Sequence, residues 1–393
     1  MSIDSPGHAE LPAWARPEAF PVKPDSGPYG LCDITGKTFA FSSWQDLTQG
    51  LRTHSVPVDW VWIPERQHGL APEEVPELGS TLLERRRRQA GADLRKGRGK
   101  ALLGGVLMAV YFLFRFGRET VVWDWFIDLT VPGFLLVFLI RPWLLAKWDV
   151  VRSEKMDRVA PATSAEAVRY DSWLQRQPAR VSLFLVVLTG LVFLVQLTVG
   201  HEIAAAGLVK SQYRAGETWR LFTGAFLHGN ALHLYLNLGA LWYLGRRAEV
   251  LARWVHLPLV ILLSLLGGAW ASVELMPQGT SVGLSGGISG ILGFLLVFER
   301  WHRALLPESV RRELWTSLGL MVLIGFLGFR FLDNAAHAGG LLTGFAYALI
   351  VFPPSSSARR PRILPQDRIL GGAALLGLTV IALAAVVVML RSN

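Results

Sequence analysis

Residues 281–297 read SVGLSGGISGILGFLLV. Two serines, Ser285 and Ser289, stand among glycines, each inside its own Gly-x-Ser-Gly, and an apolar run follows at once. The run is short for a bilayer, which takes about 20 residues at ~1.5 Å each. A short, glycine-rich, apolar segment suits a helix enclosed by other helices. Outward from it, nine apolar segments begin near Ala101, Val121, Val181, Leu221, Trp254, Leu284, Leu314, Ala335 and Ile369. Most are long enough to cross a membrane. Hydrophobic residues make up 51% of the chain and charged residues 18%. Soluble domains carry about 25% charged residues, so an all-α polytopic membrane protein is the expectation.

The net charge of +9 does not imply nucleic acid, because the basic clusters flank apolar runs where membrane anchors belong. The lipid bilayer is the expected partner. Basic residues recur in alternate connections: 84–100 before the first span, then 141–180, 245–254, 299–314 and 355–368. The intervening connections are poorer, and 274–283 has none, although Arg115, Arg118, Lys210, Arg214 and Arg220 fall on that side. The bias predicts the N-terminus inside, the C-terminus outside, and Ser285 at the outer end of the sixth span. A cell membrane, bacterial in character, is expected. The polar, Pro-rich start has no apolar core of a signal peptide, and the single Cys32 excludes an internal disulfide framework.

Four regions are expected: 1–95, a soluble cytoplasmic α/β module with a helix from Ser43 and a strand at 58–63; 96–180, two spans and a basic loop; 181–353, a core of six spans; and 354–393, a basic loop and a last span. Pro-rich residues 9–30 read as an extended arm. Trp123, Asp124, Trp125 and Asp128 read as an interfacial belt.

Polar groups inside a membrane are costly and mark function. His228, His233 and Asn237 lie in the fourth span, Ser285 and Ser289 in the sixth, and His337 in the eighth. His233 and Asn237 are four apart and share a helix face, as do the two serines. The topology places all of them in the outer half of the membrane, although depth was not used to derive it. Gly286, Gly290 and Gly293 lie along the sixth span, and Gly340 and Gly344 along the eighth, a spacing that lets two helices approach closely. A serine on one would then meet an imidazole on the other, the pairing for acyl transfer.

These residues resemble the rhomboid family of intramembrane serine proteases over about 181–353. ETWRLFTGAFLHGNALHLYLN resembles the end of the family's first loop and its His-rich second core helix. GLSGGISGILG resembles its Gly-x-Ser-Gly helix, and NAAHAGGLLTG its sixth core helix. The resemblance implies a rhomboid-like six-helix core, here with two extra N-terminal spans and one extra C-terminal span. It implies Ser285 as nucleophile and His337 as general base, without an acid, a cofactor or a metal. His233, Asn237 and the amides of Ser285 and Leu284 would form the oxyanion hole. His228, Trp219 and Arg220 would lie at the periphery, and Gly283, Gly286, Gly290, Gly340 and Gly344 would pack helices. Steps of five and eight from Ser285 reach Gly290 and Gly293; from Ser289 they reach Phe294 and Val297, too large for close approach. Ser289 occupies a position where the family usually has an aromatic residue against the imidazole. Asp333, one turn before His337, is expected to face water.

The function so implied is a serine endopeptidase cleaving transmembrane protein substrates near the outer face. The alternative is an inactive rhomboid-like protein that binds membrane clients, and such relatives typically lack the serine or the histidine. A zinc protease would need His-Glu-x-x-His, which is missing from the sequence. Broken-helix repeats of a transporter are not evident.

Overall fold

A computed structural model describes residues 11–116, 131–155, 165–199, 203–329 and 332–392. The belt at Trp123, Asp124, Trp125 and Asp128, and the start of the second span, lie outside the described residues. Chain compactness divides the protein into two units, Ala13–Arg176 and Gln177–Asn393.

In the first unit, strands β1 (Tyr29–Asp33), β2 (Thr38–Phe41) and β3 (Val58–Trp62) form an antiparallel sheet in the order β2-β1-β3. The turn between β1 and β2 is built by Gly36, at φ 85°, and by Asp33, whose carboxylate accepts from the Thr35 and Lys37 amides. Only the first two residues of this hairpin, Tyr29 and Gly30, fall in the region expected to be an extended arm. Helix α1 (Trp44–Thr53) starts where expected, with the Ser43 hydroxyl accepting from the Asp46 amide. Leu31, Leu47, Leu51, Val61 and Leu78 form the core between sheet and helix.

Helix α2 (Gly79–Phe116) runs unbroken from the module through the basic stretch and the first span. A boundary at residue 95 therefore falls inside one helix. The second span ends in a π-turn, Leu136–Ile140, that feeds helix α3 (Arg141–Glu154). Pro142 lacks the N–H that an α-helix would donate to residue 138, which accounts for the wider turn. Helix α4 (Ala165–Arg176) follows. The stretch expected to be a basic loop is thus largely helical; its alternating charges sit on helix faces. Arg169 of α4 is tied to Glu74 by two contacts of 2.9 and 2.8 Å.

The second unit is a bundle: α5 (Arg180–Thr198), α6 (Ala231–Ala252), α7 (His256–Leu275), α8 (Ser285–Trp301), α9 (Glu308–Leu327), α10 (Asn334–Val351) and α11 (Pro365–Arg391). Helix α8 is buried from Gly286 to Glu299 and touches α6, α7, α9 and α10, as its shortness implies. Leu183, Val187, Leu191 and Leu194 of α5 and Leu320, Leu323 and Leu327 of α9 are exposed, the expected surface for lipid. Five helices among the described residues are long and apolar enough to cross a membrane. The protein is a multi-pass membrane protein with a small strand-containing module.

The fourth apolar segment is not one helix from Leu221. It breaks into a short helix, Arg220–Thr223, a 3-10 turn, Gly224–Phe226, and an extended stretch before α6. Asn230 caps α6 by accepting from the His233 amide at 2.8 Å. At the opposite end of α6, Glu249 accepts from the Val181 and Ser182 amides at 3.0 and 2.8 Å. A buried carboxylate there satisfies the orphan donors of the α5 N-terminus.

Candidate active site

Three helix N-termini meet at the site. Ser285 is the first residue of α8, His337 lies in the first turn of α10, and His233 lies in the first turn of α6. The glycine rows bring α8 and α10 together. A Cβ on Gly340 would stand 2.0 Å from the Gly286 carbonyl oxygen, and one on Gly344 1.9 Å from that of Gly290. No side chain larger than hydrogen fits at that separation. At this approach His337 Nε2 lies 2.8 Å from Ser285 Oγ. Ser289, one turn deeper in α8, is buried.

Gly283 is not a helix-packing residue. It sits in the turn before α8 at φ 113°, and a Cβ there would lie 2.8 Å from His233 Cε1, 3.0 Å from its Nε2 and 3.4 Å from Asn237 Nδ2. Glycine thus permits the turn's backbone conformation and lets His233 and Asn237 close over the chain just before Ser285. No side chain caps α8, so its first amides remain available as donors. Asn237 Nδ2 is buried with no partner among the described residues. An unpaired buried amide costs about 1–3 kcal/mol, and at a reaction centre it is a ready donor to developing negative charge. Leu284 is buried and precedes Ser285 as the N-cap.

His228 lies outside the helix, on the extended stretch. Its backbone is gripped by Gln196 of α5, which accepts from the His228 amide at 3.0 Å and donates to its carbonyl at 2.8 Å. Its Nδ1 is 3.2 Å from the Phe226 carbonyl, so Nδ1 carries the proton and Nε2 is an acceptor. That Nε2 is buried without a partner among the described residues, and the ring stands 5.0 Å from that of His233.

Residues 208–209 pair antiparallel with 280–281, tying the connection after α5 to the turn before Ser285. Arg220 is buried and holds that connection: it donates to the Ala204 and Gly207 carbonyls at 2.9 and 2.8 Å and lies over the Trp219 ring at 4.5 Å. The Gly283 amide donates to the Gly224 carbonyl at 3.0 Å. Asp333 does not simply face water. It caps α10 through Ala336, and its other oxygen accepts from the Ser272 and Ser281 hydroxyls and lies 3.7 Å from Lys210 Nζ. The cavity beside Ser285, bordered by Ala225, Ser281 and Gly286, is about 50 Å³, room for about one or two waters.

A family model described as the rhomboid domain matches residues 215–354, the stretch that carries Ser285, His337, His233, Asn237 and His228. Residues 215–354 form a rhomboid domain. RHOMBOID-like protein 4 of Arabidopsis thaliana is 33% identical over 153 residues, 37% of this chain and 37% of the relative. Rhomboid protease GluP of Bacillus subtilis (strain 168) is 31% identical over 197 residues, 48% of this chain and 38% of the relative. Inactive rhomboid protein 1 of Danio rerio is 29% identical over 143 residues, 36% of this chain and 16% of the relative. The chain thus spans less than half the length of each of these relatives.

Within the rhomboid domain, the structure brings Ser285, His337, His233, Asn237, His228 and Gly283 into one cluster. Trp219 and Arg220 brace the neighbouring loop. The sequence reading missed Gln196, Lys210, Gly224, Ser272 and Ser281. Gln196, a lone amide in an apolar span, was a visible signal. It also missed Gly268 of α7, where a Cβ would be 2.6 Å from the Ala336 carbonyl, although that glycine lies in a visible Gly-Gly pair.

Proposed function

We propose that the protein is an intramembrane serine protease that cleaves membrane-anchored protein substrates near the outer face of a bacterial inner membrane. The observation that carries this reading is the 2.8 Å contact between His337 Nε2 and Ser285 Oγ. The imidazole takes the serine proton, the alkoxide attacks the scissile carbonyl, and His337 returns the proton to the leaving amine. Asn237, His233 and the amides of Ser285 and of the preceding Leu284 stabilise the oxyanion. Water then hydrolyses the acyl-enzyme. A substrate helix must unwind locally to expose an amide, which favours small or helix-breaking residues at the cut.

The test compares Ser285→Ala with Ser289→Ala on a model transmembrane substrate, with a fluorophosphonate label located by mass spectrometry. Ser285→Ala is expected to lose cleavage and label while staying folded, and Ser289→Ala to keep both. The reverse pattern would overturn the assignment. An inactive client-binding protein, a reading favoured by the relation to a protein named as inactive, would take no label in either form.

A further inference from the structure

The N-terminal module contains a cavity that the protease reading does not use. A cavity of about 180 Å³ lies where Pro57 and Val58 meet α2, lined on the helix side by Arg85, Arg86 and Gln89 and opposite by Glu73. Arg85 is 8% exposed, so it is more than nine-tenths buried. One of its nitrogens donates to the Val56 carbonyl at 2.5 Å. Its Nε is buried without a partner among the described residues, and so is Glu73 Oε2. The adjacent Glu74 differs: it is saturated by Arg169 and by the Ala71 amide.

A buried guanidinium with an unmade hydrogen bond is costly unless something fills the space. The lining carries two arginines, one amide and one carboxyl group, an excess of positive charge and of donors. Burial pushes the Glu73 carboxyl up from its ordinary range, and in its neutral form it too can donate. We propose that this pocket binds a small soluble oxyanion, of the phosphate or carboxylate class, through Arg85, Arg86 and Gln89. The same chemistry is found on a lipid headgroup. However, residues 85–89 lie ~18–24 Å along α2 from the first apolar residue, Ala101, at about 1.5 Å per residue. The headgroup layer is only about 5–8 Å deep on each side, so an upright α2 holds the pocket beyond it.

Sulfate, whose charge is constant between about pH 5 and pH 8, is the probe. Calorimetric titration into the full chain in zwitterionic nanodiscs is expected to show one site per chain, and absence of binding overturns the proposal. Arg86→Gln is expected to weaken binding at least tenfold. Arg95→Gln combined with Arg98→Gln, on the same helix but outside the pocket, is expected to leave it intact. Equal loss in both would mean that anions merely condense on the basic helix, and would sink the idea. Wild-type affinity is expected to fall as pH rises and Glu73 ionises, whereas Glu73→Gln binds independently of pH; identical profiles would refute its place in the site. Unchanged binding in nanodiscs with phosphatidylglycerol supports a soluble ligand. Loss there assigns the pocket to a headgroup and overturns the proposal.

Discussion

Asn237 is a residue whose local energetics and proposed role pull in opposite directions. Its buried Nδ2 has no partner among the described residues, so Asn237→Ala removes an unsatisfied donor. Thermal melting in detergent is expected to show stability unchanged or raised. Cleavage should nevertheless fall about 10²–10³-fold, as for loss of one oxyanion donor. A variant that loses activity only in proportion to its folded fraction would make Asn237 structural. At Gly283, φ 113° and the imidazole at 2.8 Å both reject a side chain. Gly283→Ala is expected to cost about 1–3 kcal/mol in strain and to reduce fluorophosphonate labelling, read together from a melt and a gel. His233 and Asn237 were legible as one helix face from their spacing. The position of His228 was not, because an apolar run does not reveal where Asn230 ends an extended stretch and begins a helix.

At the scale of elements, the site depends on how closely α8 approaches α10. Gly344→Ala would place a methyl 1.9 Å from the Gly290 carbonyl, so the helices must part. Such overpacking costs about 1–3 kcal/mol. Its expected signature is a lower melting temperature together with slower labelling of Ser285. Gly372 of α11, which has open space around its Cβ position, is the control: Gly372→Ala should be neutral or slightly stabilising, since alanine is the better helix former by about 1 kcal/mol. The four-residue glycine period was readable in the sequence. The partner of each row was not, since spacing alone does not say that α7 also packs on α10 through Gly267 and Gly268.

For the whole molecule, the threading is open to a direct chemical test. The only cysteine, Cys32, is buried in the module. Burial, and then the neighbouring Asp59 and Asp33 carboxylates, push its thiol up, so the native chain should react slowly with maleimides at neutral pH. Single cysteines can then report on sidedness. Gln278 and Ser356 are both exposed, in the connections before α8 and after α10. A membrane-impermeant maleimide is expected to label Gln278→Cys on intact cells and Ser356→Cys only after lysis. The opposite result would invert the threading drawn from the basic residues.

Hydropathy and the alternating basic clusters determined by themselves that this is a multi-pass helical membrane protein, and the Gly-x-Ser-Gly and His-x-x-Gly motifs carried the resemblance to rhomboids. They also singled out the residues of the candidate site. Those features are periodic or local: the bilayer imposes the apolar spans and basic flanks, and close helix packing imposes the glycine spacing. Only the tertiary structure decided that α2 carries the basic stretch as one continuous helix, that Gly283 shapes a turn, and that Asp333 is held by Lys210, Ser272 and Ser281. These outcomes depend on which surfaces meet, and residues far apart in the chain supply the partners that make each conformation the lowest in free energy.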